Sequence, residues 1–233
     1  MKHLTIGEIV AKNILYADVF QKNKIDFCCK GNVPLEEAVQ KKGIDINTIL
    51  HELGKIDSQP EHELNYESMS LTELINIIEH TFHAYIRNET PDLLFMLKKI
   101  KSVHGGNHPE LIKLFELFSE SNEDLSHHMY KEEHVLFSYI KSLEEAPKTV
   151  SQQFDSITSP IHVLKQEHEH EGDLFEKMRL LTNDYTPPMD ACNTYKLAFH
   201  KLKEFEEMLH KHIHLENNIL FPKSVTLEKH LIQ

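Results

Sequence analysis

Apolar residues recur along most of this chain at the three-and-four spacing of an amphipathic helix, and no stretch alternates as a strand would. Ser70-Leu71-Thr72-Glu73 is a capping box. It opens a long helix to about Val103, with a kink expected at Pro91. After the loop His104-Gly105-Gly106-Asn107, a second long helix runs from about Pro109 to Glu144. Pro147 to Ser159 is a connection. Ser159 and Pro160 start a third helix to about Leu181, and a fourth runs from about Met189 to Asn218, stopping before Pro222. Four long helices on short loops predict an antiparallel four-helix bundle.

The segment before the bundle reads as a small helical unit. Thr5 caps a helix through Ala11, and a second covers about Ala17–Asn23. Pro34 suits the first turn of a helix that Gly43 closes, and Asp45 caps another to about Lys55. Residues 56–69 are polar and aperiodic, as a linker is. The expected fold class is all-α, with a helical domain over 1–58 and a bundle over 70–226.

Two stretches repeat each other. His128-Met129-Tyr130-Lys131-Glu132 runs on to Val135-Leu136-Phe137, and His212-Ile213-His214-Leu215-Glu216 runs on to Ile219-Leu220-Phe221, 84 residues later. A His and a Glu four apart lie on one face of a helix, one turn from each other. Leu125, Met129, Val135, Leu136 and Tyr139 surround the first pair on a helical projection. Phe205, Leu209, Ile219 and Leu220 surround the second. A carboxylate aimed into a core needs a cationic partner. A single such pair reads more readily as a buried hydrogen bond; two matching copies point to a metal.

Composition limits the rest. With 25 Lys+Arg against 37 Asp+Glu the net charge is −12, which excludes a basic nucleic-acid footprint and attraction to an anionic membrane. No run is long and apolar enough to span a bilayer, and the N-terminus lacks a signal-peptide core, so the expected location is cytoplasmic. Three cysteines, two of them adjacent, make no disulfide framework, whereas 18 histidines are anomalous.

On the third helix His168 shares a stripe with Ile161, Leu164, Phe175 and Met178, while His162 and His170 point away. On the first, periodicity leaves His80 and His83 open; the 85-residue offset from His83 to His168 favours His83. His104, beside two glycines, reads equally as a ligand or as an imidazole at a helix C-terminus. His127, His134, His210 and His214 fall on the solvent side of their helices.

Asp26-Phe27-Cys28-Cys29-x-Gly31, Val103 to Pro109, the two His-x-x-x-Glu stretches, Glu167-His168 and the run to Phe221-Pro222 together resemble the di-iron proteins of iron–sulfur cluster repair. The resemblance covers essentially the whole chain. It departs at Lys30, where the family often has glycine. It implies a hemerythrin-like bundle with a non-haem centre of two iron ions per chain, ligated by His83, His104, His128, Glu132, His168, His212 and Glu216. Such a nitrogen-rich set suits iron over Mg²⁺ or Ca²⁺. With both carboxylates bridging, it leaves room for an oxo or hydroxo bridge and one open position for O₂ or NO.

Cys28 and Cys29 are too close in sequence for an ordinary disulfide. Next to Lys24 and Lys30 they read as thiols of lowered pKa, able to react, to bind a thiophilic metal, or to bridge to a second copy in a homodimer. Cys192 reads as structural. The function implied is repair of clusters damaged by nitrosative or oxidative stress. Iron would be handled or donated and NO bound, with damaged iron–sulfur proteins or their assembly machinery as partners. The alternatives are a hemerythrin-like O₂ or NO carrier or sensor, which has no use for the cysteines, and a di-iron NO reductase. A classical enzyme is not expected, and the chain carries no flavin or NAD motif.

Overall fold

The computed structural model describes residues 1, 3–57, 65–145 and 156–232. Half of the polar stretch read as a linker (58–64), and most of the connection read at Pro147–Ser159 (146–155), lie outside the described residues. Among the described residues the fold is all-α. Its helices are α1 (Ile6–Lys12), α2 (Tyr16–Lys22), α3 (Leu35–Lys42), α4 (Ile46–Asp57), α5 (Leu71–Ile77), α6 (Ala84–His104), α7 (Glu110–Lys131), α8 (Phe137–Glu145), α9 (Thr158–Leu181), α10 (Asn193–Leu215) and α11 (Phe221–Ile232).

Local chemistry sets the helix starts. Thr5 and Glu8 exchange the two bonds of a capping box. Ser70 and Glu73 do the same at α5, with Ser70 N–H donating to Glu73 Oε2 at 2.8 Å and Glu73 N–H donating to Ser70 Oγ at 3.1 Å. Gly43 closes α3 in the left-handed conformation, φ 68°.

Pro91 sits inside α6, which continues through it. Irregularities lie in three π-helical segments, Ile78–His83, Glu132–Leu136 and Glu216–Leu220, which join α5 to α6, α7 to α8 and α10 to α11. One expectation fails: the fourth helix continues past Pro222. A π segment shifts the backbone pairing by one residue, so Pro222 enters the first turn of α11, where a missing N–H is tolerated.

The chain divides into two compact units. One comprises Ile77–Tyr139 and Thr158–Leu209. Here α6 runs antiparallel to α10: Tyr85 lies 6.0 Å from Phe205, Glu89 pairs with Lys201, and His104 meets Cys192. Likewise α7 runs antiparallel to α9, with Ser121 on Glu171 and His128 on His168. Phe118 and Phe175 close on Phe205 at 5.4 and 5.8 Å, giving the helical bundle an aromatic centre.

One buried group in this unit makes stability depend on pH. Glu171 accepts from Ser121 Oγ–H at 2.7 Å, and its other oxygen has no partner. Burial pushes its carboxyl up to about 8. A folded carboxyl that holds its proton while the unfolded one ionises costs stability progressively as pH rises from about 4.5 towards 8. Glu171→Gln keeps the acceptor and cannot ionise. Thermal unfolding should show the variant equal to the parent near pH 4.5 and more stable at pH 8, at roughly 2–4 °C per kcal/mol. Equal melting at both pH values would contradict a neutral Glu171.

The other unit comprises Met1–Asn76, Ile140–Ile157 and His210–Gln233. Ile6, Ile9, Phe20, Leu35, Ile49 and Leu53 form a buried centre for α1 to α4. Glu144 of α8 caps α5 by accepting from the N–H groups of Leu71 and Thr72, both at 2.8 Å. At Gly31 an added Cβ would stand 2.4 Å from the Phe27 carbonyl oxygen, so the cysteine turn closes only over glycine.

Candidate metal centre

In the bundle unit four candidate ligands come from four elements. His83 ends the π segment Ile78–His83, Glu132 opens another, His128 lies one turn before Glu132 on α7, and His168 projects from α9. All four are buried. His128 Nε2 stands 3.1 Å from Glu132 Oε1 and 3.0 Å from His168 Nε2, and His83 Nε2 stands 3.4 Å from Glu132 Oε2. Ligand atoms of His128, Glu132 and His168 lie within 4.8 Å of one another. Two imidazole nitrogens facing each other at 3.0 Å, beside a carboxylate oxygen, converge as ligands of a cation do. Burial opposes the charge on Glu132, but His128 and His83 outweigh it and hold the carboxyl well below its usual range.

The surrounding carboxylates fix the imidazoles. His83 Nδ1 lies 2.7 Å from Glu133 Oε1, and His128 Nδ1 lies 2.8 Å from Glu167 Oε2. An ionised carboxylate only accepts, so each Nδ1 carries the proton and each Nε2 lone pair faces Glu132. Glu133 and Glu167 are both held down at about 2, first by these histidines and then, against burial, by Arg87 and Lys131 respectively. In the sequence analysis Glu167 stands only as a neighbour of His168, and Glu133 has no role. The signal was available: each lies next to a candidate ligand on the same helix. Glu133→Gln and Glu167→Gln remove the acceptor charge but not the shape. Each should weaken iron binding by roughly 10–100-fold in an equilibrium titration, with helix content unchanged; undiminished affinity would leave these carboxylates a surface role only.

In the other unit His212 Nε2 lies 3.0 Å from Glu216 Oε1, both fully buried, with Glu216 opening the π segment Glu216–Leu220. Thus each His-x-x-x-Glu pair ends at a π segment whose first residue is the carboxylate. Such segments cluster at functional sites.

His104 is not brought to His83, and the imidazole beside it is that of His108, with ring centroids 6.4 Å apart. His104 sits 21 residues beyond His83, about 31 Å along α6 at 1.5 Å per residue. There its Nε2 meets Cys192 Sγ at 3.3 Å. Cys192 is exposed rather than packed, because it precedes α10 at the open end of the bundle. His214, expected on the surface, is buried; burial pushes it down to about 4. His127 and His134 are exposed as expected, and His210 is half-buried against the Phe27 ring.

Cys28 is buried and Cys29 half-buried, their sulfurs 3.8 Å apart as thiols. Asp26 Oδ1 accepts from both backbone N–H groups, at 2.9 and 3.0 Å, and the three side chains offer ligand atoms within 4.8 Å of one another. The expected lowering of the Cys28 pKa does not occur. The Cys29 thiol, burial and the Asp26 charge raise it well above the usual range.

Fold and donor set define a helical bundle with a buried histidine–carboxylate cation site. In agreement, residues 76–224 match the family model of the hemerythrin HHE cation binding domain, and residues 2–57 match a domain of unknown function, DUF542. The chain is 35% identical over 218 residues to the iron–sulfur cluster repair protein ScdA of Staphylococcus haemolyticus (strain JCSC1435), covering 94% of this chain and 96% of that one. It is 33% identical over 221 residues to the iron–sulfur cluster repair protein YtfE of Musicola paradisiaca (strain Ech703), covering 95% and 96%. The chain belongs to the iron–sulfur cluster repair family. No helix among the described residues is long and apolar enough to cross a membrane.

Proposed function

We propose that this protein restores iron–sulfur clusters damaged by nitrosative or oxidative stress. In this reading a centre of two iron ions is held by His83, His128, Glu132, His168, His212 and Glu216. The observation that carries it is the pair of fully buried carboxylates, Glu132 and Glu216, each one helical turn from a buried imidazole and each at the start of a π segment. The hemerythrin match spans 76–224 and so takes in all six residues. Buried carboxylates among imidazoles need a cation, and imidazole with carboxylate suits iron.

Bound iron would supply a site for NO or O₂ and a source of iron for an incomplete cluster. The chain's own residues hold it: Glu133 and Glu167 fix the tautomers, and the apolar stripe keeps water out. The domain division proposed is functional. Residues 1–58 carry the Cys28–Cys29 thiols that engage the damaged cluster or its carrier, and 70–226 carry the iron. The names of the relatives, iron–sulfur cluster repair proteins, support this reading over a carrier or an NO reductase.

The test is recovery of activity by an NO-inactivated iron–sulfur enzyme. The iron-loaded protein should restore it faster than the same amount of free Fe²⁺ with thiol reductant. No advantage over free iron, together with steady NO turnover given an electron donor, would favour the reductase.

A further inference from the structure

The two His-x-x-x-Glu stretches match at their metal-facing positions and differ on the other side of the helix. Tyr130, Glu133 and His134 in the first correspond to His214, Asn217 and Asn218 in the second. In the first copy Tyr130 is 60% exposed and stacks on exposed His134, while Glu133 turns to His83 Nδ1 at 2.7 Å. In the second that side is covered by the cysteine turn. His214 Nδ1 lies 3.2 Å from the Phe27 carbonyl oxygen and 3.1 Å from Asn218 Nδ2; the carbonyl only accepts, and the Asn218 amide has the His214 carbonyl at 3.3 Å as its own acceptor, so Nδ1 carries the proton and donates to Phe27. Asn217 Nδ2–H donates to the Cys28 carbonyl at 3.5 Å. The His214 ring packs on the Phe27 ring at 5.8 Å. Asn218 lies against Gly7, where an added Cβ would stand 2.4 Å from its Oδ1, and Gly7 N–H donates to the Gly31 carbonyl at 2.7 Å. Both ends of the cysteine turn are therefore tied to one stretch of helix, the stretch that carries His212 and Glu216.

We propose that His214 and Asn217 are positioning residues for the thiol pair, and that the outer side of the second His-x-x-x-Glu turn is its seat. The proposal rests on the reading that Cys28 and Cys29 act in repair. It explains why Asn-Asn follows Glu216 where Glu-His follows Glu132: one copy serves iron alone, the other serves iron and thiols. It also places the thiols and two iron ligands on a common rigid element, so that a cluster held by Cys28 and Cys29 would keep a fixed geometry to that helix.

The experiment alkylates the full-length iron-loaded protein with iodoacetamide and follows Cys28 and Cys29 separately by mass spectrometry. Cys28 is 4% exposed and reacts only when the turn opens. His214→Leu should raise the Cys28 rate about tenfold, the effect of one lost buried hydrogen bond. Asn217→Ala should raise it several-fold. His214→Asn, which places an amide donor near the Nδ1 position, should restore the parent rate, and Tyr130→Leu at the matching place in the first copy should change nothing. Iron content should stay at the parent level in His214→Asn. If His214→Leu loses its helix content, Asn217→Ala and His214→Asn decide the matter. An unchanged Cys28 rate in Asn217→Ala and His214→Leu, or a His214→Asn protein as reactive as His214→Leu, overturns the proposal. Should the thiols prove dispensable for repair while Cys28 still responds to His214, the repair role of the thiols fails and the seat stands.

Discussion

Replacing Glu132 with leucine should cost the protein most of its iron while leaving its helices intact. Glu132 is fully buried, with His128 Nε2 and His83 Nε2 at its two oxygens. It lies within 3.4 Å of both imidazoles. In the proposed two-iron centre, leucine would remove the charge that offsets the cations' mutual repulsion and put apolar bulk at the position that would hold them. The stripe around it, Leu125, Met129 and Leu136, accepts leucine, and leucine is a good helix former. Iron per chain should drop well below the parent value with no loss of helical circular dichroism. Glu216→Leu should behave in the same way. His127→Ala, one residue from His128 but exposed, should keep its iron. Iron lost in His127→Ala and kept in Glu132→Leu would place the site on the wrong side of the helix.

The second large effect separates iron from repair. A Cys28→Ala/Cys29→Ala protein should hold as much iron as the parent and fail to reactivate an NO-damaged iron–sulfur enzyme. Neither cysteine is among the six proposed iron ligands, and the substitution is conservative where it touches packing: Cys28 is a small buried residue under Phe27. The raised pKa of Cys28 adds a condition. A thiol that resists ionisation is a poor free nucleophile, so the pair should act when a metal ion displaces its protons, as thiophilic cations do. Unimpaired repair by the double variant would reduce both residues to packing.

What the sequence showed and what it hid divide along physical lines. Local devices were legible. The Ser70–Glu73 capping box, the Gly43 closure and the Asp45 cap act within four residues, and each stands where the sequence puts it. The two His/Glu faces were legible because a helical period carries over many turns. The π segments were not, since one extra residue per turn leaves no mark in a stripe of apolar positions; for the same reason Pro222 read as a stop. His104 stood even between ligand and helix-end imidazole until the resemblance decided for it, and 21 residues of continuous helix put it out of reach of His83. His214 read as a surface residue because its helix is amphipathic on the iron side, and nothing local announces that the Phe27–Cys28 turn covers the opposite side. The same turn hid the Cys28 pKa: proximity in sequence suggested lysines, while the folded loop presents Asp26 and the second thiol.

The central claim is a two-iron centre built from both His-x-x-x-Glu pairs, and anaerobic titration of the metal-free protein with Fe²⁺ reads it most directly. Followed by equilibrium dialysis and Mössbauer spectroscopy, the parent protein should saturate at two iron ions per chain with one coupled, histidine-rich signature, and Glu216→Leu should break that saturation. Saturation at a single iron that Glu216→Leu leaves untouched would contradict it, and would assign the iron to His83, His128, Glu132 and His168 alone.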